Sequence, residues 1–300
     1  MKRISAIVLT ILWGFLCYNL FKSLDFFELY LYSLPGLNFN LAGVMSRVFL
    51  GFCGSIPLLL ILRPFSDRIN KLWLLIPSVI SVGLILNQLF LSAYTCKCFI
   101  LHSWNESLVF ELFLGLTSML SFISYHFIKQ DKELAFAKVI FPIFSLTFLV
   151  VIFILNAPDW FLYKKPQHLL TPFIYDGMNN NNGVDLFKEL NSEKEFQTIC
   201  LFNPNCQFCQ RASTKIYLMA KKNGFSEHVT FVFSGNPFSI PTFMETYQIE
   251  NIQTRYLNGE DLLRIANGTI PNIQIMRADT VHFNFGYRDM FESVFQEVYP

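Results

Sequence analysis

Five stretches in the first half of the chain are apolar almost without interruption: roughly 4–21, 41–62, 72–95, 107–128 and 134–155. A bilayer-spanning helix needs about 20 predominantly apolar residues, so each stretch predicts a membrane span. Farther along, the pattern breaks into short segments. Residues 198–202 read as a buried strand, followed by a turn at Pro204 and a helix from about Cys206 to Asn223. Val229–Phe233 reads as a second strand, 240–248 as a short helix and Thr254–Leu257 as a third strand. Asn272–Met276 and Val281–Phe285 read as a strand pair joined by an Arg-Ala-Asp-Thr turn, with a terminal helix over 287–298. This order predicts an α/β domain with a mixed sheet. The expected organisation is a membrane domain over 1–155, a linker over 156–175 and a water-soluble domain over 176–300.

Composition agrees with this division. Of the 300 residues 53% are hydrophobic and only 15% are charged, against about 25% charged in ordinary soluble domains. Residues 1–165 hold 13 Lys/Arg and 8 Asp/Glu, a balance of +5, whereas 166–300 hold 10 and 14, a balance of −4. With a total of +1, no basic field for nucleic acid exists.

Charge also orients the chain, because cytoplasmic loops collect Lys and Arg. With the N-terminus inside, the inner segments carry Lys2, Arg3, Arg63, Arg68, Lys71, Lys129 and Lys132, and the first two outer loops only Lys22 and Lys97. Five spans then put the C-terminal half outside, in the periplasm or its equivalent. Trp160, Phe161 and Tyr163, followed by Lys164 and Lys165, suit an interfacial belt at the end of the last span. Met1-Lys2-Arg3 also fits the start of a signal peptide, but no small-residue cleavage site follows, which favours a retained helix.

The chemistry lies in the seven cysteines. Cys206-Gln207-Phe208-Cys209 sits where a strand passes into a helix. A Cys-x-x-Cys at a helix N-terminus meets the positive end of the helix dipole, which favours thiolate. A zinc ribbon needs a second ligand pair, and no suitable His/Cys pair follows. Strand, Cys-x-x-Cys, helix, then Ile270-Pro271 before a hairpin and a final helix: this arrangement resembles the thioredoxin-like family. The resemblance implies that Cys206 is the exposed nucleophile and Cys209 the resolving thiol. It also implies a cis Pro271 beside Cys206, with Ile270 touching bound peptide. The chain departs from that family at Asn205, usually tryptophan, and in its central Gln-Phe, so the family's redox poise does not carry over. Cys200 reads as a core residue, and Cys17 and Cys53 as small packing residues within spans.

Cys96-Lys97-Cys98 lies at the outer end of the third span. Two thiols one residue apart form only a strained, labile disulfide, which suits an exchange relay. Two unrelated interfacial cysteines, or a metal site shared with His102, remain as other readings. Thr95-Cys96-Lys97-Cys98-Phe99 with Ser103-Trp104-Asn105, and the segment Phe21–Asp25, resemble the MauE/DoxX-type redox-associated membrane proteins. Tyr287-Arg288-Asp289 resembles fused versions in which a thioredoxin-like domain follows the membrane part. Ile100 stands where that family has glycine, and Arg47 where its members commonly carry an acidic residue. The resemblance implies handling of disulfides in exported proteins; quinone coupling is suggested for some relatives.

Charged residues inside spans are costly and call for a functional hypothesis. Arg47 falls roughly 9 Å into the second span and Glu111 roughly 6 Å into the fourth, depths that permit an ion pair. With Asn87 and Gln88 in the third span, they form a candidate pocket for a quinone head beside Cys96 and Cys98; snorkelling plus a structural pair is the plainer reading. The function expected from these features is a membrane-bound thiol–disulfide oxidoreductase with no covalently bound cofactor. It would act on exported cysteine-containing proteins by relaying electrons between Cys206/Cys209 and Cys96/Cys98; in an oxidising version Cys96/Cys98 pass them to a membrane quinone, and in a reducing version the relay runs the other way. The rival is a non-catalytic scaffolding subunit that docks membrane-complex partners through its soluble domain.

Overall fold

A computed structural model describes residues 2–62, 67–91, 106–127, 135–165, 171–172, 196–278 and 280–300, and the chain divides into compact units at Pro158/Asp159. The first unit is helical: α1 (Lys2–Lys22), α2 (Leu24–Ser33), α3 (Phe39–Leu62), α4 (Asp67–Leu91), α5 (Glu106–Phe127) and α6 (Ala135–Leu155). Among the described residues, α3 and the Ile69–Leu86 part of α4 are long and apolar enough to cross a membrane. Residues Ile7–Lys22 and Leu24–Ser33, bent by 77° at their junction, make a third candidate when taken as one broken span. Their outward positions are apolar, as at Ile11, Leu72 and Val79, which suits lipid.

Helices in lipid gain little from hydrophobic burial against one another, so small residues and hydrogen bonds hold them together. Helix α3 packs on α1, α2 and α6, and α4 packs on α5. At Gly54 of α3 a Cβ would collide with the Phe148 ring of α6, so glycine permits that close approach. Trp13 Nε1 donates to Ser121 Oγ at 2.9 Å between α1 and α5, and Asn70 Nδ2 donates to the Tyr125 hydroxyl at 2.9 Å between α4 and α5.

The second unit is built on a six-stranded mixed sheet in the order β1-β6-β5-β2-β3-β4. Its strands are β1 (Thr171–Pro172), β2 (Gln197–Phe202), β3 (Val229–Phe233), β4 (Gln253–Tyr256), β5 (Asn272–Arg277) and β6 (Thr280–Phe285). Strands β2, β3 and β4 run parallel, and β5 pairs antiparallel with both β2 and β6. The helices are α7 (Asp159–Leu162), α8 (Gln207–Asn223), α9 (Ser239–Thr246), α10 (Gly259–Ile265) and α11 (Glu292–Val298).

Strand alternation gives the sheet two different faces. Ile199, Leu201, Val232, Met276 and Val281 form an aliphatic face covered by Leu262 and Ile265 of α10. The opposite face is aromatic: Phe202 meets Phe231, Phe233 meets Phe243 of α9, and Phe285 stacks on Phe295 of α11. Phe225, just past α8, stacks on Phe295 at 5.5 Å. Thus α8, α9 and α11 lie on one side and α10 on the other. The elements expected from about 198 onward are all present, to within a few residues at their ends. Residues 159–165, expected to be linker, instead contribute α7 to this unit, and Thr171–Pro172 pairs with β6.

Candidate functional site

Parallel strand β2 ends at Phe202, and a tight turn leads into α8. Asn203 organises the turn: its carbonyl accepts from Cys206 N–H at 3.0 Å and its Oδ1 from Asn205 N–H at 2.9 Å. Cys206 is the N-cap of α8, in extended conformation, and its Sγ accepts from Cys209 N–H at 3.4 Å. Sulfur therefore occupies the place where Ser or Asp commonly satisfies an unpaired helix N–H. One turn on, Cys209 is fully buried while Cys206 is half-buried. Burial pushes the Cys209 thiol above its ordinary value, with its hydrogen bond to Cys206 and that sulfur's charge adding to the shift. The result is an accessible sulfur at a helix end and a sheltered thiol beneath it, both free.

The Ile270–Pro271 peptide bond is cis. Both residues line an open groove of about 430 Å³, together with Phe208, Tyr287, Arg288 and Tyr163. Phe208, inside the Cys-x-x-Cys motif, is exposed, and its ring lies 6.4 Å from that of Tyr287. One rim of the groove thus belongs to the cysteine motif and another to the loop after β6.

Beneath this loop lies a charge cluster that the sequence reading did not single out. Lys215 of α8 is completely buried; its Nζ donates to Asp159 Oδ2 at 3.2 Å and to the Tyr287 carbonyl at 3.4 Å. The Arg288 guanidinium donates to the other Asp159 oxygen at 3.1 Å. The available signal was Lys215 itself, three residues after buried Ala212 and four before buried Met219, hence on the apolar stripe of the helix. Cys200 is buried in β2, where burial raises its thiol well above the usual range.

In the helical unit, Arg47 is buried, but its partner is Glu28 of α2 and not Glu111. The correction has a simple cause: α2, unexpected from the sequence, brings a carboxylate to α3. Arg47 Nε also donates to the Asn156 carbonyl at 2.7 Å and Nη1 to the Gly43 carbonyl at 2.8 Å. Glu111 instead accepts from the Tyr30 hydroxyl at 2.9 Å, and its Oε2 is buried without a hydrogen-bond partner among the described residues. Asn87 and Gln88 lie in α4 with side chains outside the described residues, and Cys96 and Cys98 lie outside them altogether. Cys17 and Cys53 are free thiols.

Compared with models of protein families, with curated proteins and with solved structures, the chain matches none.

Proposed function

We propose that the chain is a membrane-anchored thiol–disulfide oxidoreductase: a five-span, MauE/DoxX-like membrane part carrying a thioredoxin-like domain in the bacterial periplasm. The observation that carries this reading is the Cys206/Cys209 pair, with its accessible sulfur capping a helix and its partner thiol buried below. The neighbouring groove, lined by Ile270 and Pro271, gives a polypeptide substrate a place to lie.

In the oxidising direction the pair begins as a disulfide. A substrate thiolate attacks Cys206 Sγ; the Cys206–Cys209 bond breaks and Cys209 leaves as thiolate, taking up a proton. A second substrate thiolate attacks the substrate sulfur of the mixed disulfide and releases Cys206. The exported protein thereby loses two electrons and two protons and gains a disulfide. Cys96 and Cys98, as a disulfide, accept those electrons in a second exchange, and a membrane quinone takes them on as quinol. The buried oxygen of Glu111 that has no partner among the described residues, beside Tyr30, supports a polar ligand in the helical unit.

Trapping tests the reading. In Cys209→Ala the Cys206 thiolate attacks a disulfide of an exported protein and releases one substrate thiolate; with no resolving thiol to displace it, that mixed disulfide accumulates and vanishes on reduction. If no such species form, and membrane complexes containing the chain assemble normally with Cys206→Ser, the protein is a scaffolding subunit instead. The quinone arm has its own check. Depleting quinone leaves Cys96/Cys98 and Cys206/Cys209 reduced; oxidation that persists excludes quinone as the acceptor.

A further inference from the structure

Resting on the oxidoreductase reading above, we propose that Asp159, from the first helix of the C-terminal unit, is a positioning residue for the substrate groove. It holds the Tyr287–Arg288 wall in place and thereby sets how tightly an extended polypeptide binds beside Cys206.

One carboxylate is divided between two cations of different standing. Asp159 Oδ2 faces the Lys215 ammonium, which is wholly buried in α8; Oδ1 faces the Arg288 guanidinium, which lines the groove. Lys215 reaches the same wall by a second route, donating to the Tyr287 carbonyl and lying 5.4 Å from the Tyr287 ring centre. The Arg288 guanidinium covers that ring as well, at 5.9 Å. Tyr287 is therefore flanked by two cations, and both are tied to a single anion. The same short segment supplies Tyr163 to the groove lining. Helix α8 thus carries Cys206 at its N-terminus and, nine residues on, the lysine that anchors the opposite wall.

A carboxylate bridging two cations through charge-assisted contacts ties both to one place as well as contributing energy. Without the carboxylate, Arg288 loses the anion that ties it to Lys215 and α8, and the wall samples other positions. Ordering it then becomes a cost of substrate binding. The loss falls on KM and leaves the sulfur chemistry alone.

The test uses the full-length protein in lipid nanodiscs, with glutathione as the reductant that regenerates the Cys206/Cys209 dithiol after each turnover and two disulfides as the substrates that accept its electrons. One is a cystine-bridged peptide of about ten residues; the other is a small dialkyl disulfide that reports reaction at Cys206 without filling the groove. Asp159→Asn/Lys215→Gln removes both buried charges together, so no lone cation is left in the core. The expected result is a KM for the peptide raised about tenfold, the size of one charge-assisted hydrogen bond, with kcat and the small-disulfide rate unchanged. Arg288→Gln leaves the Lys215–Asp159 pair intact and reproduces the rise in peptide KM. An unchanged peptide KM in either variant, or equal loss toward both disulfides, overturns the positioning role. Wild-type protein inert toward both disulfides overturns the oxidoreductase reading itself, and this inference with it.

Discussion

Each unit of the chain buries an ion pair, and the two pairs are constructed differently. In the helical unit Arg47 meets Glu28 and also donates to the carbonyls of Gly43 and Asn156 and to the Ser46 hydroxyl. The site is closed on itself. In the sheet unit Asp159 joins a wholly buried Lys215 to an Arg288 whose side chain is 35% exposed on the groove. The first arrangement joins helices; the second extends from the core to the wall of an open groove. A buried ion pair by itself is weak evidence of stability, because desolvation offsets much of the attraction. What distinguishes the two is where the outer member of each pair ends.

The largest expected effect comes from breaking the closed pair. Glu28→Ala leaves a guanidinium buried without its carboxylate, which costs about 3–5 kcal/mol. The measurement is thermal unfolding of the purified protein in detergent, where the variant should melt well below wild type. Glu28→Leu with Arg47→Leu removes both charges and should recover most of that loss. If the double variant is as unstable as the single one, the pair is doing more than joining helices.

Both charges were visible in the sequence as misfits on an apolar stripe. Leu24, Phe27, Glu28 and Leu31 fall at i, i+3, i+4 and i+7, and all four are buried; Lys215 lies likewise between Ala212 and Met219. A carboxylate or ammonium at a core-facing helical position signals a buried partner. The partner is not legible, because Arg47 lies 19 residues from Glu28 and Asp159 lies 56 from Lys215. Helix α2 escaped notice because ten residues with two acids do not make a span, and depth alone then suggested Glu111 for Arg47. The Cys-x-x-Cys junction was legible because all its parts are local: a β-branched and apolar strand, a turn with Pro204, and an amphipathic helix. The role of residues 159–165 was not, since aromatic residues followed by lysines read equally well as a membrane belt.

The sheet unit should also lose stability in alkali. Burial raises the thiols of Cys200 and Cys209 above their usual 9.0, and the Tyr299 hydroxyl above its usual 10.0. A raised value means that the folded protein keeps a proton the unfolded chain releases. Stability from this source is therefore complete below about pH 9 and declines as pH rises past it, by up to about 1.4 kcal/mol per pH unit for each group. Denaturant midpoints of the full chain, followed by tryptophan-independent circular dichroism of the sheet between pH 8 and 10.5, should fall over that window. In Cys200→Ala the fall should be shallower; an unchanged slope would mean that the buried thiols do not govern it.

The smallest expected effect sharpens the contrast most. Lys165 Nζ lies 2.7 Å from Glu297 Oε2, closer than Lys215 lies to Asp159, yet these side chains are 49% and 61% exposed. Water screens such a pair, and holding two long side chains together costs entropy, so exposed pairs contribute about 0–1 kcal/mol. Lys165→Gln should move the melting midpoint hardly at all, and that small shift should vanish in about 1 M salt, where charges are screened within about 3 Å. Asp159→Asn, at the longer but buried contact, should lose about 2 kcal/mol, with little dependence on salt. Equal effects of the two substitutions would mean that proximity, not burial, ranks the ion pairs of this unit, and the distinction between a core anchor and a surface contact would fail.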